Sequence, residues 1–225
     1  MRVERFPVGP LDNNLYLLTA PGQPGSPGSP GSPGYNDAIV VDPSLESGHV
    51  LDTIRSRGLT VRRILLTHAH LDHILMVRAF HEATSAPVWL HAQDRPLYER
   101  GREQAEAMGM RWPGGAPVSH WIEDGEEVGI PGIDVRAIHT PGHSPGSVTF
   151  VTSDGLLVGD VLFRDSVGRT DLPGGDWETL VRSIRERLFV FPGSTRVCPG
   201  HGLETTIGRE AASNPFVGAS ALGQA

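Results

Sequence analysis

Within the seven residues Thr67-His68-Ala69-His70-Leu71-Asp72-His73 lie three imidazoles and a carboxylate, directly behind the apolar run Ile64-Leu65-Leu66. Nothing else in the chain restricts its fold so strongly. Imidazole is the commonest borderline metal ligand, and a carboxylate adds the negative charge a divalent cation needs. On a strand ending in a tight loop, His68 and His70 can converge on one cation while Asp72 and His73 turn toward a second. Three later fragments extend the set: Pro141-Gly142-His143, Gly159-Asp160 and Pro199-Gly200-His201. Each sets one good ligand beside a glycine, the residue that lets backbone turn sharply next to a site. A metal centre is the expectation. The other histidines, His49, His81, His91, His120 and His139, stand alone and read as structural.

At 225 residues the chain is long enough to bury a real core, and 38% apolar residues is ordinary for a globular protein. No apolar run approaches the roughly 18 residues of a membrane span. The start, Met1-Arg2-Val3-Glu4-Arg5-Phe6, lacks the pattern of a signal peptide. The single cysteine, Cys198, excludes an internal disulfide and fits a reducing cytoplasm. Before Pro199-Gly200-His201 it invites a thiol role, but a small buried filler is the favoured reading. A net charge of −7 argues against nucleic-acid or anionic-membrane partners. All 19 basic residues are arginine. A catalytic lysine is therefore excluded, and a substrate carboxylate must be held by Arg, backbone amides or hydroxyls. Oligomeric state is left open between a monomer and a small homo-oligomer.

Strands are expected at 14–19, 38–41, 63–66, 88–90, 133–138, 147–151, 156–158 and 196–198. Helices are expected at 45–57, 74–83, 92–108 and, capped by Asp176, to Phe189. Between the first two strands, residues 21–34 repeat Gly-Ser-Pro and read as a flexible hairpin insertion without function.

The order His-x-His-x-Asp-His, then His143, Asp160 and His201, resembles the ligand series of the metallo-β-lactamase fold, from about Asp12 to Phe216. Ser166-Val167-Gly168-Arg169-Thr170-Asp171-Leu172-Pro173-Gly174-Gly175 and Val197-Cys198-Pro199-Gly200-His201-Gly202 are similar to short bacterial members of its glyoxalase II-like (hydroxyacylglutathione hydrolase-like) branch. The resemblance implies an α/β four-layer αββα sandwich, with residues 1–225 as one domain. It implies that His68, His70 and His143 hold one metal, that Asp72, His73 and His201 hold another, and that Asp160 bridges them. Members of that branch hydrolyse thioesters such as S-lactoylglutathione with two metal ions. The expected cofactors are two divalent ions, zinc first, with iron or manganese open. The expected partner is a small-molecule thioester.

The chemistry of these residues agrees. Two dications roughly 3.5–4 Å apart repel, and a shared carboxylate with a shared hydroxide offsets that. Metal binding lowers the pKa of water from about 15.7 to roughly 7, so a bridging hydroxide can attack a carbonyl at neutral pH. On the arrangement the resemblance implies, Asp72 and Asp160 are the catalytic carboxylates, acting with metal-bound hydroxide. A thiolate leaves readily, so a thioester requires no strong general acid. Asp42 and Thr67 are candidates to accept the second ring proton of a ligating histidine; for Asp42 the alternative is a turn closing a strand. Phe163, Arg164, Arg169 and Arg209 are the substrate-binding candidates, although Arg169 can equally pair with Asp171.

Two departures from the branch concern the pocket. Ile74-Leu75-Met76 stands where glycines usually follow the first motif, which is expected to narrow the space beside the site. After His201 only 24 residues remain, so much of the C-terminal helical region that supplies part of the glutathione site is expected to be missing. Competing readings are a persulfide dioxygenase with one iron held by two histidines and an aspartate, and a hydrolase of another bond (lactone, phosphodiester or β-lactam). Retention of Asp72, His73 and His201 favours hydrolysis over the single-iron reading.

Overall fold

The structure, a computed structural model, describes residues 1–20 and 36–219. The segment read as a hairpin insertion, 21–34, lies outside the described residues. Six strands form a first sheet in sequence order: β1 (Arg2–Val8), β2 (Asn13–Thr19), β3 (Asp37–Val41), β4 (Thr60–Leu65), β5 (Val88–His91) and β6 (Val118–Ile122). The first three pair antiparallel, and β3 to β6 run parallel. A second group comprises β7 (Val135–His139), β8 (Val148–Thr152), β9 (Gly155–Gly159), a small hairpin of β10 (Leu162–Phe163) and β11 (Ser166–Val167), then β12 (Arg196–Pro199) and β13 (Thr205–Thr206). Without the hairpin these form a sheet of order β13-β12-β9-β8-β7. Helices are α1 (Gly48–Ser56), α2 (Leu71–Ile74), α3 (Val77–Thr84), α4 (Arg95–Glu99), α5 (Gly101–Ala107), α6 (Trp177–Ser183) and α7 (Ile207–Ser213).

Strand alternation builds the layers. Along β2 to β4, Leu15, Leu17, Ala38, Val40 and Ile64 face one way and pack with Val50 and Ile54 of α1 and Phe80 of α3. Their neighbours Tyr16, Leu18, Ile39, Val41 and Leu65 face the other way, onto Val135, Phe150, Leu157 and Cys198 of the second sheet. Leu156, Val158 and Val197 then turn outward onto Leu180, Ile184 and Ile207. Successive strand side chains point to opposite faces, so each central strand feeds two cores. Each fully buried Leu, Ile or Val contributes roughly 1.5–3 kcal/mol. Helix, sheet, sheet and helix thus stack as the expected αββα sandwich. Cys198 is a filler between the sheets, and burial pushes its thiol up to about 12.

Several boundaries differ from expectation. β1 and β6 carry Arg2, Glu4, Arg5, Pro7, Ser119 and His120, and these polar residues and the proline hide the alternation. Both are edge strands, where such residues are tolerated. The expected helix at 92–108 is a short turn followed by α4 and α5, which meet at Gly101. That at 74–83 is α3, with α2 before it. Asp176 does cap α6, its carboxylate accepting the Thr179 N–H at 2.7 Å. No described helix is long and apolar enough to cross a membrane.

Candidate metal centre

The ligand-type residues leave the ends of different strands and meet through backbone hydrogen bonds between their loops. His68 and His70 follow β4, Asp72 and His73 lie on α2, His143 joins β7 to β8, and Asp160 and His201 follow β9 and β12. The Val148 N–H binds Thr67 O at 2.9 Å, Gly200 N–H binds Gly159 O at 2.7 Å, and Asn14 N–H binds Gly200 O at 2.7 Å. Gly200 has to lack a side chain, because a Cβ there would collide with Asp160 Oδ1 and lie 2.8 Å from the His73 ring.

Among the described residues three groups of ligand-type atoms converge, His68–His70–His143, Asp72–His73–His201 and Asp42–His68–His73, the last joining the other two. In the first, His143 Nε2 lies 2.8 Å from His70 Nδ1 and 3.3 Å from His68 Nε2. In the second, His73 Nε2 lies 3.2 Å from His201 Nε2, and Asp72 Oδ2 is 3.5 Å and 3.1 Å from those two nitrogens. Asp160 stands between them. Its Oδ1 is 3.4 Å from His73 Nε2, and its Oδ2 is 3.3 Å from His201 Nε2 and 3.6 Å from His143 Nε2.

The opposite ring nitrogens show which protons these histidines carry. Asp42 Oδ2 accepts from His73 Nδ1 at 3.0 Å. The carbonyl oxygens of Arg169 and Leu11 accept from His143 Nδ1 and His201 Nδ1 at 2.8 and 2.7 Å. Thr67 donates its hydroxyl to Asp42 Oδ2 at 2.6 Å and so accepts from His68 Nδ1 at 3.0 Å. With each Nδ1 proton committed, the Nε2 lone pairs of four imidazoles face one another across 3.2–3.3 Å. Apart from His70 Nδ1, which can donate to His143, and the long Asn13 amide contacts to His73 and His201 (3.5 and 3.4 Å), a proton or a cation between them is what relieves that. Asp160 Oδ1 is also buried with no hydrogen-bond partner. The residues fit a metal.

Electrostatics point the same way. Burial lowers His73, but the carboxylates of Asp160 and Asp72 outweigh it and raise its pKa well above the ordinary value. Burial likewise opposes the hydrogen bonds of His201 to Asp160 and Asp72, which win and raise it to about 10. Burial would raise Asp72 and Asp160, yet His73 and His201 hold both well below the usual carboxylate range. His70 is pushed down to about 3, by burial first and then by His143. Positive charge is strongly favoured around Asp160 and the second group.

Asp42 combines both roles considered for it. It closes β3 with a left-handed backbone (φ 50°), and its carboxylate reaches the ligands. Among the substrate candidates, Phe163 stands nearly perpendicular to the His201 ring, with an interplanar angle of 80° and centroids 6.1 Å apart. Arg169 is exposed and doubly hydrogen-bonded to Asp171 at 2.7 and 2.6 Å; its carbonyl, not its guanidinium, serves the ligand set. Arg209 pairs with Asp165 at 2.7 and 2.6 Å. Arg164 is exposed. The five lone histidines stay outside the convergent groups found among the described residues. His91 and His139 stack on each other at 4.2 Å, His81 binds Ala86 O and His120 binds Glu126.

Two residues at the centre have no counterpart in the expected set. Asn13 is fully buried and donates to Asp72 Oδ2 at 2.9 Å. Asp94, also fully buried, binds the loops carrying His68, His70 and His143. An Asn opening one strand and an acid behind another carry no local signal of either contact.

The profile of the metallo-β-lactamase superfamily matches residues 34–201. The chain belongs to that superfamily. It is 35% identical to hydroxyacylglutathione hydrolase GloC of Haemophilus influenzae over 80% of this chain and 87% of the relative. Among solved structures, it matches TTHA1623 in a di-iron-bound form with a TM-score of 0.80 and 40% identity, over 95% of this chain and 100% of the other. It also matches the BLEG-1 B3 metallo-β-lactamase with a TM-score of 0.82 and 34% identity, over 96% and 99%. The fold and the His/Asp clusters together indicate a metal-dependent hydrolase that binds divalent metal.

Proposed function

We propose that the protein is a dinuclear thioester hydrolase acting on a small acyl thioester, with S-lactoylglutathione as the first substrate to try. The observation that carries this reading is Asp160, whose two oxygens face ligand atoms of both groups within 3.6 Å. His68, His70 and His143 would hold one ion, Asp72, His73 and His201 the other, and Asp160 both. When bound, such a pair supplies a hydroxide nucleophile at neutral pH and polarises the substrate carbonyl. Zinc is the first choice, and iron and manganese suit the same donors; the di-iron relative keeps iron in contention.

The chain's own residues perform the rest. Asp42, Thr67 and the carbonyls of Arg169 and Leu11 hold the Nδ1 protons, so each Nε2 stays an acceptor. Phe163 offers an apolar surface beside His201. A thiolate needs no protonation to leave, which suits a centre built from ligands alone. The GloC relative supports the thioester reading.

The test is hydrolysis of S-D-lactoylglutathione by protein of known metal content. A kcat/KM above about 10⁴ M⁻¹s⁻¹ is expected, the lower end of the usual enzyme range. Rates far below that with two ions bound would move the search to other acyl thioesters. The likeness to BLEG-1 gives a second reading, hydrolysis of a β-lactam amide. Turnover of a chromogenic cephalosporin faster than of any thioester would favour it.

A further inference from the structure

A buried carboxylate outside the ligand set joins the two segments that supply His68, His70 and His143. Asp94 closes the turn behind β5 and is 0% exposed. Its Oδ2 accepts the N–H of Ala69, the residue between His68 and His70, at 2.8 Å. The same oxygen accepts the hydroxyl of Ser144, next to His143, at 2.8 Å. Its Oδ1 accepts the Gly146 N–H at 2.6 Å. A carboxylate is costly to bury unless donors surround it, and here all three donors come from the two ligand loops.

The fit leaves no slack. A Cβ on residue 146 would lie 2.5 Å from Asp94 N and 2.7 Å from its Cβ, so only glycine allows this approach. Gln104 grips the first loop as well, donating to Ala69 O and accepting from Leu71 N–H, each at 3.1 Å. The second ligand group is secured elsewhere: Asp42 holds His73, and Leu11 O holds His201.

We infer that Asp94 is the positioning residue of the His68–His70–His143 group, setting the separation of its two loops and hence its affinity for an ion. The inference rests on the proposed metal centre, whatever its substrate. Asp94→Asn keeps the volume but turns an amide donor toward groups that are themselves donors.

The experiment titrates Zn²⁺ into chelator-stripped protein against a chromophoric competitor, resolving two stepwise constants. His143→Ala identifies which step belongs to the first group. In Asp94→Asn that step should weaken about 10- to 100-fold, the range for residues that orient metal ligands, while the other changes less than about threefold. Gly146→Ala, which forces Asp94 aside, should weaken the same step, and so carries the test should Asp94→Asn fail to fold. Glu210→Gln controls for lost stability alone. Glu210 is equally buried and bonds Thr205, Asn214 and the Asp165 N–H, away from the ligand loops. It should lower the melting temperature and leave both constants intact. Unchanged constants in Asp94→Asn and Gly146→Ala, or equal weakening of both steps as in a generally loosened fold, would overturn the assignment. Wild-type protein that takes up no ion would overturn the metal centre itself, and this inference with it.

Discussion

Asp42 Oδ2 lies 3.0 Å from His73 Nδ1 and 2.6 Å from Thr67 Oγ1, so one carboxylate orients a histidine of each ligand group. His73 is held directly. His68 is held through the Thr67 hydroxyl, which can accept from His68 Nδ1 only while it donates to Asp42. Asp42→Asn should retain the left-handed backbone, which Asn tolerates, but weaken this control of both groups. Metal affinity is expected to fall about 10- to 100-fold. In a competition titration, loss at both steps would separate Asp42 from Asp94, whose effect falls on one. Unchanged affinity would show that the carboxylate matters only for the turn.

Asp160→Ala removes the carboxylate that faces Nε2 atoms of both groups, leaving two dications without a shared anion. One of two ions should be lost and turnover nearly abolished, read by elemental analysis alongside the thioesterase assay. Two ions retained with full activity would rule out the bridge.

The metal-free protein should have a bell-shaped dependence of stability on pH. His70 sits at about 3 when folded, below the unfolded value of about 6.5. Between those values the unfolded chain binds more protons, so stability falls as the solution is acidified below about pH 6.5. His201 is raised to about 10. Its contribution is complete below about pH 6.5 and is lost as pH climbs through the folded value. A maximum near pH 6.5 should therefore appear in calorimetry of chelator-treated protein. Loading with metal should remove the alkaline decline, because the cation replaces the proton at His201 and His73. A melting temperature of the stripped protein that rises steadily to pH 9 would contradict this account of His201.

Ligand chemistry is local, which is why the residues that converge around Asp160 could be picked out from sequence. Imidazoles and carboxylates spaced by one or two residues behind an apolar strand announce His68 to His73 without tertiary information. Thr67 and Asp42 follow from the rule that a ligating histidine donates its other proton to an oxygen. Asp94 and Asn13 escape that logic, since neither accepts a ring proton of a ligating histidine: Asp94 accepts from backbone N–H groups and a serine hydroxyl, and Asn13 donates to Asp72. Many surface acids and strand-end amides look the same in sequence. Strands β2 and β3 and the end of β4 are visible as nearly unbroken apolar runs, because both of their faces are buried. At β1 and β6 one edge meets solvent, and the polar residues placed there hide the period. Arg169 was legible as a residue near the site; that it acts there through its carbonyl was not.

The arginines give a prediction about the substrate. If a thioester with a free carboxylate is bound, one guanidinium near the ligand set should meet it. Arg169 and Arg209 each already hold a carboxylate, Asp171 and Asp165, at 2.6–2.7 Å. Arg164 lies at the tip of the β10–β11 hairpin, next to Phe163, which faces His201. Exposed ion pairs contribute about 0–1 kcal/mol, so recruiting Arg164 should be worth no more than that. Arg164→Ala should raise KM for a glutathione thioester up to about fivefold and leave kcat alone, because uniform binding is what is lost. A neutral acyl thioester should show no change in either constant. Arg169→Ala should have the smaller effect on KM of the two, its charge being largely spent on Asp171. Equal effects on the charged and neutral thioesters would exclude Arg164 as the carboxylate's partner, and a larger effect at Arg169 would transfer that role to it.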